Sequence, residues 1–152
     1  NRPGWGIAVE GNDMNFGLDV PVEKRRIKDR SAITFDLCFP PGTNNLFANT
    51  GQGRVATQPY RDWQTRAGWE IVSNRPGRIP GAVKITLLFE EKGGRRDLDN
   101  LIKPVLDLCV KHSVIDGDHR SIVRAINASW ARDVQGVRVT IEPATIVERT
   151  AA

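Results

Sequence analysis

Residues 82 to 109, AVKITLLFEEKGGRRDLDNLIKPVLDLC, change their hydrophobic period halfway along, and that change sets the fold. AVKITLLFE, 82–90, is rich in β-branched and aromatic residues and reads as a strand. From there on, Leu98, Leu101, Ile102, Val105, Leu106 and Cys109 lie on one stripe at helical spacing, so a helix carries most of 98–111. Its outer face holds Lys103, Asp107 and Lys111. Between strand and helix, two arginines run directly into Asp97 and Asp99, a concentration of negative charge that a basic chain needs a chemical reason to keep.

Working outward, AITFDLCF, 32–39, alternates Ile33, Phe35, Leu37 and Phe39 with mostly polar neighbours, the period of a half-buried strand, and ends at Pro40-Pro41. PPGTNNLFANTGQGR, 40–54, is dense in turn-forming residues and reads as a loop. Tyr60, Trp63, Ala67 and Ile71 recur at steps of three and four, which predicts a first helix from Tyr60 to about Ser73, before the breaker NRPGRIPG. VIDGDH, 114–119, is a turn, and SIVRAINASWA and GVRVTIEP, joined by RDVQG, read as an antiparallel hairpin. The expectation is an α+β domain over 31–145, ordered β-α-β-α-β-β, with a mixed sheet and two helices. Residues 1–30 are an N-terminal extension and 146–152 a C-terminal tail.

At 152 residues the chain suits one domain with a real core. No apolar run approaches the roughly 20 residues that would span a bilayer, and the N-terminal stretch lacks the pattern of a secretory signal, so a cytoplasmic location and no membrane segment are expected. Twenty-two basic against 18 acidic residues give a net charge of +4, a balance that suits polyanionic partners. Lys24, Arg25 and Arg26, at the basic end of the extension, form either an arm for phosphates or a solvated tail. Cys38 and Cys109 sit in apolar segments and read as buried thiols; with His112 and His119 they do not give a zinc spacing.

The two aspartates impose a geometric condition. In a helix already begun at Asp97 they would be rotated by about 200° and face apart, whereas on extended chain they share a side. If both serve one site, the helix begins at or after Asp99, itself a good N-cap residue. Pro104 agrees, being tolerated best near a helix start, and it leaves the Asn100 carbonyl without its usual partner. Lys103, four after Asp99, lies on nearly the same face. Capping alone needs one acid, yet Asp97, Asp99, Asp116 and Asp118 gather at the two ends of one segment amid Arg95, Arg96, Lys103 and Arg120. Hard cations such as Mg²⁺ want oxygen ligands, few carboxylates and several waters, an arrangement that polarises a phosphodiester. Bases that hold a phosphate backbone and acids that hold a metal are then compatible neighbours.

With RRDLDNLIKPVLDLC followed by SVIDGDHRSIV, the chain resembles the RusA-type Holliday-junction resolvases of bacteria and phages. That family carries an arginine-rich lead into D-L-D-N, a lysine four residues after the second aspartate, and a later acidic cluster. The loop FPPGTNNLFANTGQGR is similar to the family's early Pro-Pro, Asn-containing loop, so the resemblance covers roughly 32–142. It implies that Asp97, Asp99 and Asp118 are catalytic metal-binding aspartates and that Lys103 assists catalysis. Gly117 departs from the pattern by replacing the first of two adjacent acids, which leaves the metal count open, with Asp116 as a compensating ligand one position earlier. The resemblance further implies a Mg²⁺-dependent endonuclease, with Mn²⁺ as a substitute, acting as a homodimer on branched DNA such as four-way junctions. Arg95, Arg96 and Arg120, with Lys24, Arg25 and Arg26, are the candidate DNA contacts.

Two rivals come from other classes. A non-catalytic branched-DNA or single-strand-binding protein would use the basic arm and stack bases on Trp5, Trp63, Trp69 or Trp130. A sugar-nucleotide transferase would use D-L-D as its metal pair, but its need for a nucleotide-binding α/β domain argues against it in so short a chain.

Overall fold

The computed structural model describes residues 31–145. They form β1 (Ile33–Leu37), β2 (Phe47–Thr50), β3 (Gly53–Ala56), α1 (Gln58–Asn74), β4 (Val83–Glu90), α2 (Ile102–Lys111), β5 (Val123–Ala131) and β6 (Val137–Pro143), with 3-10 turns at Thr43–Asn45 and Leu98–Leu101. The α+β class, the mixed sheet and the two helices are as the sequence predicts.

The main sheet has the order β1-β6-β4-β5. In β4, Val83, Ile85, Leu87 and Phe89 are wholly buried, and Val137, Val139 and Ile141 of β6 are buried on the same face, because a period of two sends alternate side chains to one side. Trp63, Ala67 and Ile71 of α1 and Val105, Leu108 and Cys109 of α2 complete that core. The opposite face is polar, with a cross-strand hydrogen bond between the Thr34 and Thr140 hydroxyls (3.1 Å) and the Arg138 guanidinium donating to Asp36 at 2.9 and 3.1 Å. α1 starts at Thr57, whose hydroxyl accepts from the Tyr60 amide, and stops at Arg75 in the left-handed region.

Two expectations are corrected. β5 and β6 do not form a hairpin: β6 lies antiparallel between β1 and β4, and β5 pairs parallel with the other edge of β4. The strand with the stricter alternation takes the central place, while β5 has no fully buried residue and occupies the edge. The chain enters β6 at Gly136, whose N–H donates to the Glu90 carboxylate (2.8 Å) and whose carbonyl accepts from the Glu90 amide (2.8 Å), so the turn residues serve β4 and not β5. Gly136 has φ 71°, and a Cβ there would meet the Leu37 carbonyl oxygen at 2.1 Å, so only glycine fits. The second correction concerns 40–54, where the expected loop contains most of a β2–β3 hairpin. Its residues are exposed on both faces, so no alternation marked it in the sequence.

Candidate active site

β4 and α2 build the site between them. After Glu90 the chain turns through Gly94 (φ 103°) to present Arg95, Arg96 and Asp97. Asp97 is extended (φ −88°, ψ 128°), as the sequence requires, but Asp99 already lies in the 3-10 turn Leu98–Leu101, and α2 begins only at Ile102. Asp99 is therefore neither on extended chain nor the N-cap; Asp97 occupies the cap position of the 3-10 turn without a side-chain cap bond. The cause lies in Pro104, which forbids the α-helical bond to Asn100, so the chain enters α2 through a tighter turn. The Asn100 carbonyl so released accepts from the Thr43 hydroxyl at 2.7 Å, which fastens the Pro-Pro loop to the start of the helix.

Lys103, on the first turn of α2, donates to Asp107 at 2.6 Å and to Asp118 at 2.8 Å. Donating to Asp107, and secondly to Asp118, holds the Lys103 ammonium well above its ordinary value. The same lysine holds the Asp118 carboxyl below the usual carboxylate range, through its hydrogen bond first and its charge second. Asp107 reads from the sequence only as an outer-face residue, although a lysine and an aspartate four apart on a helix are natural partners.

Asp116 turns to the segment before β4, where its Oδ2 accepts from the Gly81 amide (2.9 Å) and its Oδ1 from Arg78 Nε (3.1 Å). The Gly81 amide, with Arg78 beside it, lowers its pKa. Gly117 is buried, and a Cβ there would meet the His119 ring at 2.9 Å. Among the described residues, no three His, Cys, Asp or Glu side chains stand close enough together to hold one ion. Asp97 and Asp99 are nevertheless exposed and in no ion pair among those residues, and their hard oxygens fit Mg²⁺, which takes one or two protein carboxylates beside water and phosphate.

Arg95 and Arg96 are exposed, and the Arg96 guanidinium lies 4.7 Å over the Phe39 ring. Together with Asp97 they separate two clefts. One, of about 450 Å³, lies against Asn44, Asn45 and Asn100; the other, of about 410 Å³, lies against Glu91, Lys92 and Trp130. Arg120 is exposed, and its carbonyl accepts from Arg124 at 2.9 Å. Of the tryptophans, Trp63 is core and donates to the Cys38 carbonyl (3.0 Å), whereas Trp69 and Trp130 are exposed. Lys24, Arg25, Arg26 and Trp5 lie outside the described residues. Burial pushes the Cys109 thiol up to about 12 and the half-buried Cys38, which also faces Glu70, up to about 11, so neither supplies a thiolate at neutral pH.

No helix among the described residues is long and apolar enough to cross a membrane. No curated protein matches the chain. The sequence model of the family described as Endodeoxyribonuclease RusA matches residues 39–142, from just after β1 to the last residue but one of β6, a span that takes in the arginine-aspartate stretch, Lys103 and Asp118. More than half of the chain is covered, and the chain belongs to the RusA endodeoxyribonuclease family.

Proposed function

We propose that this endonuclease resolves four-way DNA junctions as a Mg²⁺-dependent homodimer, making paired nicks in opposed strands. The observation that carries the reading is the placement of exposed Asp97 and Asp99 beside Arg95 and Arg96 at the mouth of α2, with Lys103 linked to Asp118 one turn further on. In this reading Asp97, Asp99 and Asp118 would hold the ion, with Asp116 an outer contributor beyond that set. When bound, the ion supplies charge neutralisation at the phosphodiester and activation of water; Mn²⁺ substitutes for it. Arg95 and Arg96 hold the strand by its phosphates, with Arg120 and the basic run Lys24, Arg25 and Arg26 extending the contact. Lys103, kept protonated by its two carboxylates, turns to the charge that grows on the phosphate, with Asp107 retaining it at one end. Two subunits related by a two-fold axis put one such site on each of two symmetry-related strands. The protein acts in the cytoplasm, on DNA.

One gel tests this. Purified protein is mixed with a mobile four-way junction, with and without Mg²⁺, beside Asp99→Asn. Paired, metal-dependent nicks that disappear in the variant while junction binding persists are the expected result. A junction left uncut across metal and salt conditions would sink the reading and favour a non-catalytic binder.

A further inference from the structure

The cleft of about 450 Å³ between the Thr43–Asn45 turn and the Arg95–Asp97 stretch has a lining that metal binding does not explain. Its polar lining is Arg95 and Arg96, the three asparagines Asn44, Asn45 and Asn100, and Asp97, with Pro41, Gly42 and Leu101 completing it. Cations recognise phosphate. A primary amide both donates and accepts, which matches the paired donor and acceptor of a base edge and is of little use to an apolar ligand. The volume is at the scale of one small ligand.

The cleft is also built before any ligand arrives. The Thr43 hydroxyl ties one end of the turn to Asn100 at 2.7 Å, and the Thr57 hydroxyl ties the other by donating to the Asn45 carbonyl at 2.6 Å. The Asn45 amide closes the turn on the Gly42 carbonyl (2.8 Å), and Leu46 is buried beneath it. Across the cleft, stacking on Phe39 positions Arg96. Asn44 and Asn45 are exposed, and their side-chain amides make no hydrogen bond among the described residues, so a rigid backbone presents two uncommitted amides.

We propose that this cleft takes the nucleotide adjoining the scissile phosphate, with Arg95 and Arg96 on its phosphate and Asn44 and Asn45 reading its base edge. The assignment rests on the endonuclease reading above and adds to it the residues that set sequence preference at the cut.

The test uses four junctions that differ only in the base pair at the cleavage position. Each is cut by the wild-type protein, by Asn44→Ala and Asn45→Ala, and by Asn44→Asp and Asn45→Asp, which keep the side-chain shape but remove its donors. The expected wild-type result is unequal rates across the four. In at least one pair of variants, the ratio of fastest to slowest then falls by about tenfold, the size expected when a paired contact to a base is lost. Equal wild-type rates on all four junctions would overturn the proposal. So would variants that keep the wild-type ratio, even if every rate drops together, since a merely structural role slows all substrates alike. A wild-type protein that cuts none of the junctions would overturn the endonuclease reading first, whereas cutting with an unaltered ratio would overturn only this proposal.

Discussion

Asp97 and Asp118 belong to the same expected set of acids, yet the fold treats them in opposite ways. Asp97, with Asp99, is exposed at the start of α2 and outside any ion pair among the described residues, whereas Asp118 accepts from Lys103 at 2.8 Å. One end of the set is open to a ligand and the other is closed by the protein's own cation. Lys103 is shared between two carboxylates, donating to Asp107 at 2.6 Å as well as to Asp118. Among the described residues the three acids do not stand together as a ready cluster, and in the proposed mechanism this difference is what separates them.

The largest effects are expected at the open end. Asp97→Asn and Asp99→Asn each lower the cleavage rate by at least about a hundredfold, since metal charge stabilisation contributes several kcal/mol. Gel shift with a non-cleaved junction should show binding kept or tightened. At the closed end, Lys103→Met lowers cleavage by roughly tenfold to a hundredfold through lost charge stabilisation, and it frees Asp118. The sign of the accompanying pH effect is fixed by the two shifts. Asp118 is held below its usual range, so its contribution is present at neutral pH and lost as pH falls through its lowered value. Lys103 is held above its ordinary value, so its contribution is lost only as pH rises past that raised value. In Lys103→Met, carboxyl NMR should find Asp118 titrating at higher pH than in the wild type, and an unchanged titration would remove the pair from the account.

A smaller effect separates the scaffold from the site. Thr43→Val leaves the Asn100 carbonyl without its donor and costs about 1–2 kcal/mol in denaturant unfolding. The smallest change sharpens the closed end: Gly117→Asp restores an acid beside Asp118 and lowers the Mg²⁺ concentration for half-maximal cleavage by a few-fold. The exposed His119 ring moves aside to admit it. A metal dependence identical to that of the wild type would show that the position points away from the ion.

Local pattern made much of this legible. The strand expected at 82–90 and the helix that carries Pro104 in its first turn match the structure to within a residue or a few, because period and breakers act on neighbouring residues. The resemblance likewise rested on contiguous residues, and the family match covers them. What escaped was the β2–β3 hairpin, exposed on both faces, and Asp99 within a 3-10 turn, a geometry that the choice between extended chain and α-helix did not include. Asn44 and Asn45 carry no signal beyond that of turn residues in the sequence, and only the fold puts them in one cleft with Arg95 and Arg96.

The strands and helices of the main domain, the extended approach to Asp97 and the loss of the Asn100 hydrogen bond follow from local sequence alone, since each depends on residues adjacent in the chain or one helical turn apart. It is the packed domain that inserts β6 beside β4, brings Thr43 to a carbonyl 57 positions away and lets Lys103 reach Asp118. Those pairings are choices among many chemically similar partners, and the packing of the whole sheet and its helices selects them.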